Sequence, residues 1–185
     1  MSPRQNRRAD AQRIYDQILL NAVGTLRAEP QASMNRIAHV AGVHRSTLYR
    51  HFPTREVLIE QLTERATAEG RALTASILQG EPCAASVRRL CEQITAFGEK
   101  YGFLIGTAAV RGAGADPIGL VPLMSRWQRA DVLRGDVTAG ILALSFTATA
   151  IALQESSQPN SSKQADKDRA DVLHKLFVQG AAVAR

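Results

Sequence analysis

Between Asn35 and Thr54 the chain carries Arg36, His39, His44, Arg45, Ser46, Thr47, Tyr49, Arg50 and His51, and no acid. Cations and hydrogen-bonding groups without a compensating carboxylate are what phosphate oxygens and base edges demand of a protein surface. A merely solvated helix face ordinarily mixes signs. Within the same stretch Ala38, Gly42 and Leu48 stand at relative positions one, five and eleven. That spacing suits a helix-turn-helix: a small residue where two helices cross, glycine at the turn, and an apolar anchor for the second helix. Spacing alone is a weak signal, and the acid-free company strengthens it.

Positioning such residues takes flanking helices, and the periodicity supplies them. Ile14, Ile18, Ala22, Val23 and Leu26 predict a first helix that Pro30 stops. Ser33 is a suitable N-cap for a short helix with inner face Ile37, Ala38 and Ala41, ended by Gly42. A third helix is expected over Arg45–His51, burying Leu48 and Phe52 and ending before Pro53. A long segment follows from Thr54 to Gln79, broken by Gly80 and Pro82. Val87, Leu90, Cys91, Ile94, Phe97 and Tyr101 predict another, with a bend at Gly102. A glycine-rich turn holds Gly112 and Gly114, and Ile118, Val121, Met124 and Trp127 trace the next helix. Asp136 is expected to open an uncharged helix to Leu153, and a Ser-rich loop from Glu155 to Ala165 leads to a last helix over Asp166–Gly180. No period-two pattern occurs, so the fold class is all-α.

The charge is unevenly placed. The net charge is +6 over 185 residues, and the first 55 hold nine arginines against three acids, Asp10, Asp16 and Glu29. The remaining 130 hold equal numbers of cations and acids, so a basic N-terminal module precedes a neutral body. Apolar residues at 45% and charged residues at 22% give the body enough core to fold and argue against disorder. Two cysteines, Cys83 and Cys91, are too few for a disulfide framework and are expected as free, mostly buried thiols in a reducing compartment. The uncharged run Val137–Leu153 is short for a membrane span, and the N-terminus is polar and Arg-rich, which predicts a cytoplasmic protein.

Residues 33 to 58, SMNRIAHVAGVHRSTLYRHFPTREVL, resemble the DNA-binding motif of the TetR family of transcriptional regulators, with IA, AGV and TLYRHF in register. The likeness covers roughly 45 residues including the first helix. The resemblance implies an N-terminal three-helix DNA-binding domain over residues 1–53 and a helical ligand-binding and dimerisation domain over 54–185. It implies that Arg45, Ser46 and Thr47 start the recognition helix, with His44 before them and Arg50 along it. Tyr49 and His51 would touch phosphates or bases, Arg55 would reach a phosphate, and Ser33 to Asn35 would offer another phosphate the helix N-terminus. The partners implied are double-stranded DNA with a palindromic operator, a small-molecule effector, and a second copy of the chain through helices near 136–154 and 166–180. The protein would be a regulator, a repressor that its ligand releases. Departures from the family stand at Pro30-Gln31, Leu26, His44 and Ser46. Arg4, Arg7 and Arg8 form an arm that either follows DNA or only solubilises.

Other readings are weaker. His39, His44 and His51 have no Cys or acid nearby to complete a coordination set, so no metal and no cofactor are expected. Nothing assembles a catalytic constellation, so no enzyme is expected either. Phe97, Tyr101, Phe103, Met124, Trp127 and Phe146 are the large side chains from which a ligand pocket would be walled, with Gln93, Arg111 and Gln128 as polar groups; plain core is the competing reading. Ala139, Gly140, Ala143, Thr147 and Ala150 would permit close packing of the uncharged helix in a dimer, or within the body. The rival function is a helical small-molecule-binding or enzymatic protein without specific DNA binding.

Overall fold

The computed structural model describes residues 3–105, 107, 116–156 and 163–181, apart from the side chains of 3–7 and 163–166. Arg111, Gly112, Gly114, the side chains of Arg4 and Arg7, and residues 157–162 of the Ser-rich loop lie outside the described residues. Among the described residues every regular element is helical: α1 (Pro3–Ala28), α2 (Met34–Val40), α3 (Arg45–His51), α4 (Arg55–Leu78), α5 (Ala84–Tyr101), α6 (Leu120–Arg129), α7 (Ala139–Glu155) and α8 (Lys163–Ala181), with a short 3-10 turn at Gly102–Leu104. The chain forms two compact units, residues 1–65 and 66–185, and α4 contributes residues to each.

In the first unit Ile18, Ala22 and Leu26 of α1, Ile37 of α2, Leu48 of α3, the following Phe52, and Leu58 and Leu62 of α4 are fully enclosed. Three short-range devices set the ends. Ser33 Oγ accepts from the Arg36 backbone N–H at 3.2 Å and starts α2. Gly42 follows α2 with φ +66, a conformation in which a side chain is strained. Thr54 Oγ1 accepts from the Val57 N–H at 3.3 Å and starts α4 after Pro53.

The second unit is a helical bundle around Leu90, Cys91, Leu123, Met124, Trp127, Phe146, Leu173 and Phe177. Burial pushes the Cys91 thiol up to about 12, so it is inert at neutral pH. Cys83, expected inside, is instead exposed as the N-cap of α5, where its backbone N–H donates to Ser86 Oγ at 3.1 Å. Asp116 caps α6, its carboxylate accepting from the Leu120 and Val121 N–H groups at 2.7 and 2.9 Å. Thr138, two residues after the expected Asp136, caps α7 by accepting from the Ile141 N–H at 3.3 Å. Asp136 has a different duty, pairing with Arg134, whose backbone N–H donates to the Ala181 carbonyl at 2.7 Å at the end of α8.

The body part of α4 is tied down by polar contacts and one glycine. Arg71 Nε donates to the Pro117 carbonyl at 2.8 Å, Thr74 to that of Ile118, and Arg126 of α6 to those of Leu78 and Gly80 at the end of α4. Gly70 lies so close to Ile118 that a Cβ there would overlap the Ile118 Cγ2 methyl.

Candidate nucleic-acid interface

The turn between α2 and α3 is built from backbone bonds. The Gly42 N–H donates to the His39 carbonyl at 3.1 Å and the Val43 N–H to that of Ala38 at 3.0 Å, reversing the chain within four residues. Gln17 of α1 adds a side-chain tie, donating to the Ala41 carbonyl at 2.9 Å. Leu48 and Phe52 then pin α3 to the core, both at 0% exposure. What remains on the outside of α3 is Arg45, Ser46 and Arg50, all exposed, with Thr47 and Tyr49 half-buried. His44 precedes them as an exposed N-cap in extended conformation whose side chain makes no capping bond. The Arg45 guanidinium carbon lies 5.2 Å from the centroid of the Tyr49 ring.

Two expected contact residues have work inside the protein. Arg55 donates through Nη1 to the Ala32 carbonyl at 2.6 Å and through Nη2 to that of Pro30 at 2.7 Å, holding the loop before α2 against the start of α4. These are charge-assisted bonds to carbonyls that would otherwise need other donors. We expect Arg55→Gln to lower the melting stability of the first unit by about 1–3 kcal/mol, read by thermal unfolding without DNA. A variant that melts like the parent and differs only in DNA affinity would overturn this role. His51 is half-buried, its ring 6.1 Å from Tyr15 and 6.3 Å from Phe52. Its Nε2 is buried without a hydrogen-bond partner. Burial, and then Arg50 beside it, lower its pKa, so the ring is neutral at pH 7 and serves as packing more than as a cation.

Ser33 and Asn35 are exposed at the start of α2, and the Arg36 N–H is already taken by Ser33 Oγ. Arg8 is exposed on α1. Sequence reasoning missed Tyr15 and Gln17. The Tyr15 hydroxyl donates to Gln61 Oε1 and its ring stacks on Phe52 at 5.1 Å, so together they fix α1 against α3 and α4. Polar residues on an exposed-looking helix face carry no signal of a partner 24 or 46 positions away.

The six aromatic and thioether residues considered for a ligand pocket separate into two groups. Met124, Trp127 and Phe146 have at most 1% exposure and belong to the core of the second unit. Phe97 and Phe103 are half-buried, and Tyr101 packs at 5.1 Å from the Phe97 ring while its hydroxyl donates to Glu69 at 2.7 Å. Lys100 Nζ reaches the same carboxylate at 2.8 Å. Gln128 is a loop clamp, donating to the Arg134 and Val137 carbonyls at 2.8 and 2.6 Å. Gln93, two helical steps from Tyr101 on the α5 face that Phe97 shares, has a buried Oε1 without a partner. Among the described residues no three His, Cys, Asp or Glu side chains come together as a metal site.

Residues 30–62, which span α2, α3 and the start of α4, match the bacterial regulatory proteins of the TetR family. The chain is 26% identical over 182 residues to the HTH-type transcriptional regulator NfxB of Pseudomonas aeruginosa, covering 91% of this chain and 95% of that one. Among solved structures it is similar to the TetR-like regulator LfrR of Mycobacterium smegmatis in complex with proflavine, with TM-score 0.73, 21% identity, and 94% and 98% of the two chains covered. NalD, the secondary repressor of the MexAB-OprM multidrug efflux pump in Pseudomonas aeruginosa, gives TM-score 0.64 at 19% identity over 94% and 98%. The matched segment is the one whose glycine turn, enclosed Leu48 and acid-free outer face form a helix-turn-helix, and the likeness in fold runs through nearly the whole length. The helix-turn-helix segment is thus that of the TetR family of bacterial regulatory proteins, and the chain as a whole is similar in sequence to a transcriptional regulator and in fold to TetR-like regulators.

Proposed function

We propose that the protein is a repressor that binds a palindromic operator as a homodimer and leaves it when a small molecule occupies the second unit. The observation that carries the DNA half is α3, where Arg45, Ser46 and Arg50 are exposed with no acid between Asn35 and Thr54. The DNA-binding set on this reading is Ser33, Asn35, His44, Arg45, Ser46, Thr47, Tyr49 and Arg50, with His51 and Arg55 shaping the surface from behind. Two copies of α3 related by a two-fold axis would enter successive major grooves about 34–36 Å apart.

Support for the homodimer lies on the last two helices. Leu142, Ala143 and Phe146 of α7 and Ala170, Leu173 and Phe177 of α8 face the core, yet Ile141, Leu144, Val172 and Leu176 are 54%, 68%, 41% and 53% exposed. Four large apolar residues left outside on neighbouring helices mark a surface that a second copy would cover. The Ala139, Gly140, Ala143, Thr147, Ala150 series is divided: Gly140 and Thr147 are exposed, while Ala143 faces inward.

For the effector, the half-buried Phe97 and Phe103, Tyr101, and the unpartnered Gln93 Oε1 supply apolar walls and a hydrogen-bond acceptor. LfrR, of like fold, holds proflavine. On this reading the protein binds and releases and catalyses nothing, and it works in the cytoplasm beside its DNA. No helix among the described residues is long and apolar enough to cross a membrane.

Selection of binding sites from random duplex DNA, followed by titration across salt, tests the reading. We expect an enriched inverted repeat whose shift survives at salt concentrations where binding to unrelated duplex has faded. Equal retention of all sequences at every salt concentration would sink it.

A further inference from the structure

We propose that Tyr49 is a positioning residue for Arg45: its ring carries the Arg45 guanidinium in the pose that reads a guanine edge in the major groove, so base preference at one operator position depends on the Tyr49 ring and not on its hydroxyl. The inference rests on the assignment of α3 as the recognition helix. Its observation is the cation–ring contact, with the guanidinium carbon 5.2 Å from the ring centroid. Arg45 is the first residue of α3 and Tyr49 follows four positions later, so the two share a face one turn apart. Tyr49 is half-buried and Arg45 exposed, which makes the ring the anchored partner and the long cation the one being held. No acid lies between Asn35 and Thr54 to draw the guanidinium elsewhere.

The chemistry of the contact favours base reading over phosphate steering. A guanidinium held over an aromatic ring by cation–ring attraction is steadied in position while its N–H donors, which lie in its own plane, stay free for other acceptors. Guanine presents O6 and N7 side by side in the major groove, and a fork held in one plane is the donor that matches them. A phosphate places no such demand, because a point charge in many orientations serves it. An unheld arginine at the exposed start of a helix would have to freeze its rotatable bonds on binding. The ring removes part of that cost beforehand, which is preorganisation applied to a specificity contact.

The test compares sites selected from random DNA by the full-length parent and by Arg45→Ala, Arg45→Lys, Tyr49→Phe and Tyr49→Leu, with affinities then measured on operators changed at single positions. The parent is expected to prefer guanine at one position per half-site by about 5- to 150-fold. Arg45→Ala and Arg45→Lys should erase that preference, since lysine keeps the charge and lacks the fork. Tyr49→Phe should retain it within about twofold, and Tyr49→Leu should reduce it at that position by about two- to fivefold while other positions keep theirs. Combining Tyr49→Leu with Arg45→Ala should remove nothing further at that position. If Tyr49→Phe loses as much as Tyr49→Leu, or if Tyr49→Leu weakens all sequences equally, Tyr49 acts through its hydroxyl on phosphate and the proposal is wrong. Should Tyr49→Leu melt early, Arg45→Lys and Tyr49→Phe still decide: a preference kept by Arg45→Lys overturns it. A parent that enriches no sequence would overturn the DNA-binding reading itself, and this inference with it.

Discussion

Leu144→Arg is expected to yield a folded monomer whose operator affinity is about 10²–10⁴-fold below that of the parent. Leu144 is 68% exposed, so exchanging it costs the single chain little, within about 0.5 kcal/mol for a surface site of this kind. The same position lies on the face where Ile141, Val172 and Leu176 are also uncovered. In a two-fold interface the residue occurs twice, so two new guanidinium groups would be buried without partners in apolar surroundings. Charges buried without partners cost several kcal/mol, enough to dissociate a dimer at micromolar concentration. DNA affinity would follow because one recognition helix alone loses the effective concentration that the second gains from being tethered. Sedimentation analysis and operator titration of the same preparation would check both halves. A variant that stays dimeric and binds DNA normally would place the interface elsewhere, and Leu144→Ala should fall between variant and parent.

Sequence patterning reaches part of the way along these helices and stops at a definite point. The uncharged run Val137–Leu153 is apolar nearly all round, from which the expectation of a helix covered on more than one side follows. Which side meets the chain's own core was illegible, because Leu142 and Leu144 are chemically alike and only the placement of α5, α6 and α8 decides that one is 5% and the other 68% exposed. The helix-turn-helix was far more legible. Ser33, Gly42 and Pro53 act locally, on the backbone within a few residues, so the expected span of α3 agrees with the observed Arg45–His51.

Long polar side chains were the least legible. Arg55 and Arg45 are both cations at helix starts, yet one grips the Ala32 and Pro30 carbonyls and the other lies over an aromatic ring. Gln128 resembles a pocket residue in type and is a clamp on its own loop. Residue type gives the kind of bond a group makes. The partner is fixed by chain segments tens of residues distant, and no spacing rule reaches them. Cys83 shows the converse: a thiol is usually inside, but its place as N-cap of α5 keeps it at the surface.

Trp127→Ala is expected to destabilise the second unit by about 3–5 kcal/mol, the largest folding effect of any single truncation considered. Trp127 is 1% exposed and belongs to the same cluster as Leu90, Leu123, Met124 and Phe146, so its removal leaves a hole that rigid helices on several sides cannot close. The Trp127 carbonyl also accepts from the Val132 N–H at 2.9 Å, which starts the loop toward α7, so the helix end cannot shift freely to fill the space. Against a total of roughly 5–15 kcal/mol for a domain, such a loss leaves the unit near its unfolding threshold. The melting transition should fall by about 6–20 °C, and Trp127→Phe, which keeps most of the volume, should recover a large part of it. The distinction is functional as well as structural. If Trp127 were chiefly a wall of the effector site, the alanine variant would melt like the parent and lose only its response to the ligand. If it is core, Phe97→Ala, at a half-buried position beside Tyr101, should cost less stability while altering that response more.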